Sequence, residues 1–407
     1  MSGQVNTAPA HAGAGAAVPA DAMLGVARSR RFFPELESLR GLAVLLVVAF
    51  HVDASVVLYN RSRPASALTS FARGGDTGVD LFFVLSGFLL SLPFIAAARG
   101  ERPVSLRLYF SRRALRILPL YYAAVLAGAV LAARQLGDLR HALPYLFFVN
   151  GFTGTSTPLP PFSNVWWSLA TEVQFYLVLP LLLLVLRSWR GRALGAVALV
   201  AYGLAYLATV DGRLHMDTIG RQFVFLLSIV GRGPLFLSGI AAAWIVAVYG
   251  DRLQAALAKA TWLRRGGADL VFAVVLVGLA YYLRALVDDT RINGGLSAPA
   301  LPWHAGSGLF WAAVVLCLVL TPLRSKAYLC NAALARLGVL SFSIYLLHVP
   351  ILHSGLRLAR HVAPDLWGWS PRMAALIVVL GIACYAAATV TYTWIERPFL
   401  VRKSRFE

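Results

Sequence analysis

The sequence predicts an all-α fold, a polytopic membrane helix bundle of about ten transmembrane helices with both termini cytoplasmic. Three observations lead there. Of the 407 residues, 59% are hydrophobic and only 14% charged, with a mean hydropathy of +0.70, too few charges to build a soluble surface. Apolar runs close to the length needed to cross a bilayer recur along the chain. Lys and Arg gather in alternate connections, 23 of the 37 on one side and 13 on the other with Arg40 at the boundary. That asymmetry is the positive-inside bias, and it sets the orientation.

The runs fall at about 38–58, 78–98, 114–134, 165–187, 192–209, 232–249, 270–287, 306–323, 337–356 and 373–394. Residues 1–32, rich in Ala, Gly and Pro and lacking an apolar core, read as a disordered cytoplasmic tail rather than a signal peptide. The membrane domain is expected over 33–398, and 399–407 as a basic cytoplasmic tail. The segment 141–149 is too short to span and holds Pro144, so it is expected to be re-entrant or interfacial. The positive-inside asymmetry accounts for much of the net charge of +19. No basic, aromatic-interleaved folded segment is present to bind nucleic acid. Cys317, Cys330 and Cys384 lack paired spacing, which supports neither a disulfide framework nor a zinc site.

Polar groups inside apolar runs are costly, and their cost points to chemistry. Arg40 opens the first run and His51 lies eleven residues later, about 16 Å along a helix and on nearly the same face. Counted from the expected span ends, Ser86, Glu172 and His348 fall at a depth similar to His51, which makes a shared polar cavity plausible. Each has a plainer reading. A membrane histidine can be neutral and bonded across helices, Glu172 a protonated packing residue, and Ser86 interhelical glue beside Gly87. Arg113 and Arg116, three residues apart, share one helix face. Their guanidinium forks suit a phosphate-bearing ligand, although positive-inside anchoring also requires arginines there.

At these residues the chain resembles the acyltransferase 3 family of integral membrane acyltransferases, from about 33 to 400. The matching pieces, in order, are Leu36–Gly41 with ten residues between Arg40 and His51, Gly78–Phe88, Arg113-x-x-Arg116-Ile117-x-Pro119, Trp167-Ser168-Leu169-x-x-Glu172, Leu337-Gly338 through Tyr345-Leu346-x-His348-x-Pro350, and Glu396-x-Pro398. Where the family often has two adjacent acids, this chain has Glu172 followed by Val173.

The resemblance implies a multi-pass enzyme of the inner (plasma) membrane. It would move an acyl group, acetyl by default, from cytoplasmic acyl-CoA to a hydroxyl of a glycan, lipid-linked sugar or secondary metabolite. It also implies a stand-alone form without a C-terminal hydrolase-like domain, and no permanently bound cofactor or metal. His51 and Glu172 are the expected catalytic residues. Arg40, Arg113, Arg116, Tyr122, Ser86, Trp167 and His348 are the expected substrate and acyl-CoA contacts. In that scheme the arginines hold the phosphates, the pantetheine arm runs along the first span, and His51 deprotonates the acceptor hydroxyl. Glu172 would orient its imidazole or stabilise the imidazolium. The competing reading is a proton-coupled transporter or exporter, which also wants membrane His and Glu but not the arginine pair.

Overall fold

The computed structural model describes residues 33–57, 72, 74–132, 136–150, 165–210, 227–292, 300–366 and 368–404. The expected N-terminal tail over 1–32 lies outside them. No strand occurs among the described residues. Nine of their helices are long and apolar enough to cross a membrane, and a further apolar helix covers His304–Leu320. The protein is a multi-pass helical membrane protein.

The long helices are α1 (Pro34–Val57), α2 (Thr77–Ala98) and α3 (Leu106–Ala132). A one-turn helix α4 (Leu143–Leu146) follows. The fourth expected span is divided into α5 (Trp167–Val178) and α6 (Leu181–Arg187). Pro180 explains the division, since it offers no N–H to the ladder and its ring crowds the preceding turn. Beyond it come α7 (Trp189–Val210), α8 (Ile229–Lys259), α9 (Ala268–Ile292) and α10 (Ala300–Leu320). The short α11 (Lys326–Leu329) precedes α12 (Ala332–Val362) and α13 (Pro371–Thr391). A wide turn over Tyr392–Glu396 leads into α14 (Arg397–Ser404).

Some helix starts are set by a capping side chain. Asn331 accepts from the Leu334 amide at 2.9 Å to start α12, and Ser370 accepts from Met373 at 3.1 Å to start α13 with Pro371 in its first turn. The segment expected to be re-entrant or interfacial folds as α4, after a 3₁₀ stretch Leu136–Ala142. It lies against α3, held by the Tyr121 hydroxyl on the Tyr145 carbonyl at 3.0 Å and the Tyr122 hydroxyl on the Leu146 carbonyl at 3.1 Å.

Two tight crossings organise the bundle, α1 with α12 and α2 with α8. Each rests on small residues that let backbones approach. A Cβ on Gly338 would overlap the Glu37 carbonyl, and one on Gly239 would overlap the Val84 carbonyl. α2 also packs on α1, and α10 on α8, so α12, α1, α2, α8 and α10 form a continuous buried row. The start of α1 is pinned by a Glu35–Lys326 ion pair and by the Ser38 hydroxyl on the Asn331 carbonyl at 3.4 Å. α7 lies at the periphery, with Leu194 71% and Val197 66% exposed, an apolar surface suited to lipid. The Glu-x-Pro motif serves as a tie. Glu396 is buried and accepts from the Ser343 hydroxyl, holding the end of α13 against α12.

Candidate functional site

A cavity of about 350 Å³ lies between α1, α2, α3, α5 and α12. Its polar wall is Glu37 and Arg40 from α1, Ser86 from α2, Arg113 and Arg116 from α3, Glu172 from α5 and Ser341 from α12. The helical spacing does the placing. Arg113 and Arg116 are three residues apart and face the same way. Arg40 lies one turn after Glu37, with Nη1 3.7 Å from its carboxylate, and donates from Nη2 to Ser341 Oγ at 3.3 Å. Ser86 Oγ donates to Glu172 Oε1 at 2.7 Å, a short bond of the kind a carboxylate accepts. The Arg113 guanidinium lies 5.9 Å over the Tyr176 ring. Tyr176 is braced through its carbonyl by the Tyr109 hydroxyl at 3.2 Å.

Three guanidiniums therefore meet two carboxylates around one internal space, leaving a formal excess of positive charge. Burying cations is costly unless they are paired and hydrogen-bonded. The Arg113 Nε is buried without a hydrogen-bond partner among the described residues. An unsatisfied guanidinium N–H on the wall of a cationic cavity fits an anionic ligand, above all a phosphate.

The far wall of the cavity is Tyr345. Its hydroxyl donates to the Val165 carbonyl at 2.6 Å and lies 2.6 Å from Ser168 Oγ, while Phe82 meets its ring edge-on at 6.2 Å. Beyond that ring is a second polar grouping. The His348 ring lies 5.7 Å from Tyr345, and His51 and His348 approach to 3.4 Å between His51 Nδ1 and His348 Nε2. His51 Nδ1 also donates to the Val47 carbonyl at 2.8 Å. His348 Nδ1 faces two carbonyls, Tyr345 at 2.8 Å and Ile344 at 3.1 Å.

Similar depth along the runs predicts one cavity for Ser86, Glu172, His51 and His348. The structure instead sorts them into two groups. Ser86 and Glu172 join the arginines, whereas His51 and His348 pair with each other behind Tyr345. Glu172 is hydrogen-bonded by Ser86, and the bonds of the His51 ring among the described residues go to Val47 and His348. Arg113 and Arg116 share one wall of the cavity, as their i,i+3 spacing predicts, and Arg40 joins them from α1. Tyr122 is spent on the Leu146 carbonyl. Trp167 lies outside the cavity wall, packed edge-on against Phe83 and beneath the Arg232 guanidinium at 4.8 Å.

One polar cluster escaped the sequence reading. Arg232 Nη1 donates to Asp80 Oδ1 at 2.8 Å and to His304 Nδ1 at 2.9 Å, joining α8, α2 and α10. Its sequence signal is one polar or charged residue at or near the start of each of three apolar runs.

Comparison with known proteins adds the family. A family model described as "Acyltransferase domain" matches residues 33–392. The chain is 27% identical to the peptidoglycan O-acetyltransferase OatA of Listeria monocytogenes, a match covering 93% of this chain and 57% of that protein. It is 24% identical to the putative peptidoglycan O-acetyltransferase YrhL of Bacillus subtilis, over 90% of this chain and 55% of the relative. The putative membrane-bound transacylase BcsY of Komagataeibacter xylinus is 27% identical, over 78% of this chain and 74% of its own length. The chain thus spans just over half the length of the two peptidoglycan relatives. No solved structure matches it.

Proposed function

The chain belongs to the acyltransferase 3 family, and from that premise we propose that it is a membrane O-acetyltransferase. In this reading it moves acetyl from acetyl-CoA to a hydroxyl of a cell-surface glycan. The observation that carries it is the convergence of Arg40, Arg113 and Arg116 on one cavity beside α1, the helix that also bears His51. The names of the relatives support acetyl as the group and a glycan as the acceptor.

The reaction divides along α1. The three guanidiniums bind the phosphates of coenzyme A from the cytoplasmic side of the plasma membrane, where the positive-inside bias puts the Arg40 end. The pantetheine arm follows α1 past Tyr345, across the roughly 16 Å between Arg40 and His51. His51 takes the hydroxyl proton as the acceptor oxygen attacks the thioester carbonyl. The carbon–sulfur bond then breaks, and the imidazolium returns the proton to the departing thiolate. One ester and one thiol result, with no net proton change. Glu172 belongs to the donor end here, where it offsets and orients the arginines.

The test uses protein in nanodiscs with acetyl-labelled acetyl-CoA and peptidoglycan-derived glycan chains as the first acceptor. Acceptor-dependent release of free coenzyme A with label in the glycan is expected. Correctly folded His51→Ala turning over at the wild-type rate would contradict the mechanism. Substrate counterflow without thioester consumption would contradict the enzyme reading as a whole.

A further inference from the structure

His348 makes contacts that no donor-binding role requires. Its Nδ1 faces the carbonyls of Tyr345 and Ile344 at 2.8 and 3.1 Å, so that nitrogen carries the proton and donates. In a neutral ring the other nitrogen, Nε2, then has a lone pair, and it points at His51 Nδ1 from 3.4 Å. His51 Nδ1 also meets the Val47 carbonyl at 2.8 Å. Two acceptors thus converge on one nitrogen of His51.

We infer that His348 is a positioning residue that fixes the tautomer of His51, keeping the proton on Nδ1 and leaving Nε2 as the basic nitrogen. The inference rests on the reading of His51 as the base. The alternative tautomer would set the Nδ1 lone pair against both the Val47 carbonyl and the His348 lone pair. Val47 alone holds Nδ1 less firmly, because within α1 its carbonyl is also the helical acceptor for the residue four positions on. His348 acts a second time when His51 Nε2 takes a proton. The positive charge then lies beside a neutral acceptor already aimed at its Nδ1–H, with no rearrangement needed in a low-dielectric interior. His348 is buried and held from the side by the Tyr345 ring, so its orientation is fixed by packing as well as by its own backbone bonds.

Two conservative variants separate this role from plain packing. His348→Gln reaches as far as Nε2 and can accept from His51, whereas His348→Asn reaches only as far as Nδ1 and keeps a donor for the backbone. A structural role in which His348 merely satisfies those carbonyls favours Asn; tautomer control favours Gln. The expected result in nanodiscs is a kcat within about fivefold of wild type for Gln and about 10²-fold lower for Asn, within what a misplaced general base costs. KM for acetyl-CoA should stay within about twofold in both, since the donor cavity is untouched. Imidazole nitrogen spectra of histidine-labelled protein without substrate supply the second readout, with His51→Gln used to assign the resonances. Wild-type His51 should be protonated on Nδ1, and His348→Asn should show a share of the Nε2-protonated form. An Nε2-protonated His51 in the wild type, or Asn matching or exceeding Gln in kcat, would overturn the inference. Because the spectra need no turnover, they judge the tautomer even if His51→Ala proves active, an outcome that would overturn only the reading of His51 as the base.

Discussion

The two ends of α1 solve opposite problems. At Arg40 the bundle leaves a cavity of about 350 Å³ and surrounds it with three guanidiniums and two carboxylates, one buried Arg113 N–H having no partner among the described residues. At His51, which is half-buried, the polar contacts are fewer. The ring has two acceptors on one nitrogen, one from its own helix and one from α12. An incompletely satisfied cationic space suits a ligand that brings its own negative charge. A side chain with one nitrogen fully engaged and the other left over suits proton transfer. In the proposed scheme an apolar helix need not carry a continuous polar stripe to link binding with chemistry. It needs two separate polar groupings and a ligand long enough to reach both, with the Tyr345 ring between them.

Variants at the two ends should therefore fail in different ways. The largest effect belongs to His51→Ala, expected to lower kcat by about 10²–10⁴-fold with little change in KM, as measured by acceptor-dependent coenzyme A release. Arg113→Ala should act on the other parameter, raising KM for acetyl-CoA by about 10–10²-fold through the loss of a charge-assisted bond of about 1.5–3 kcal/mol. Arg113→Lys should recover only part of it, because an ammonium lacks the planar fork. Ser86→Ala deprives Glu172 of its 2.7 Å donor. It should raise KM by a few-fold, roughly what a bond worth about 1 kcal/mol supplies, while kcat holds. Smallest of all, Tyr122→Phe removes only the bond to the Leu146 carbonyl. It should cost about 0.5–1.5 kcal/mol of stability, read as a slightly lower thermal-inactivation midpoint, with kcat and KM unchanged.

The helices were legible because their signals are local. Apolar run lengths located the spans, and the i,i+3 spacing of Arg113 and Arg116 put both on the same wall. Partnership between spans was not legible. Depth along a run can be counted, but the rotation of a helix and the identity of its neighbour depend on packing that no single run encodes. Glu172 was accordingly matched by depth to His51, while packing gave it to Ser86 and the arginines. His348, expected among the substrate contacts, faces His51 because the close crossing at Gly338 brings α12 against α1. Asp80 and Arg232 were obscured for a related reason. Each lies near a helix start, where a lone charge reads as the end of a span, and only their 2.8 Å contact across α2 and α8 distinguishes them. The break at Pro180 was readable in principle, since proline inside an apolar run ends or kinks a helix.

The measurement closest to the central claim is binding rather than turnover, namely equilibrium binding of acetyl-CoA to wild type, His51→Ala and Arg113→Ala in nanodiscs. A donor held at the arginine cavity and used at His51 predicts that His51→Ala binds as tightly as wild type, while Arg113→Ala binds about 10–10²-fold more weakly. Wild-type affinity in Arg113→Ala, together with lost binding in His51→Ala, would contradict the account.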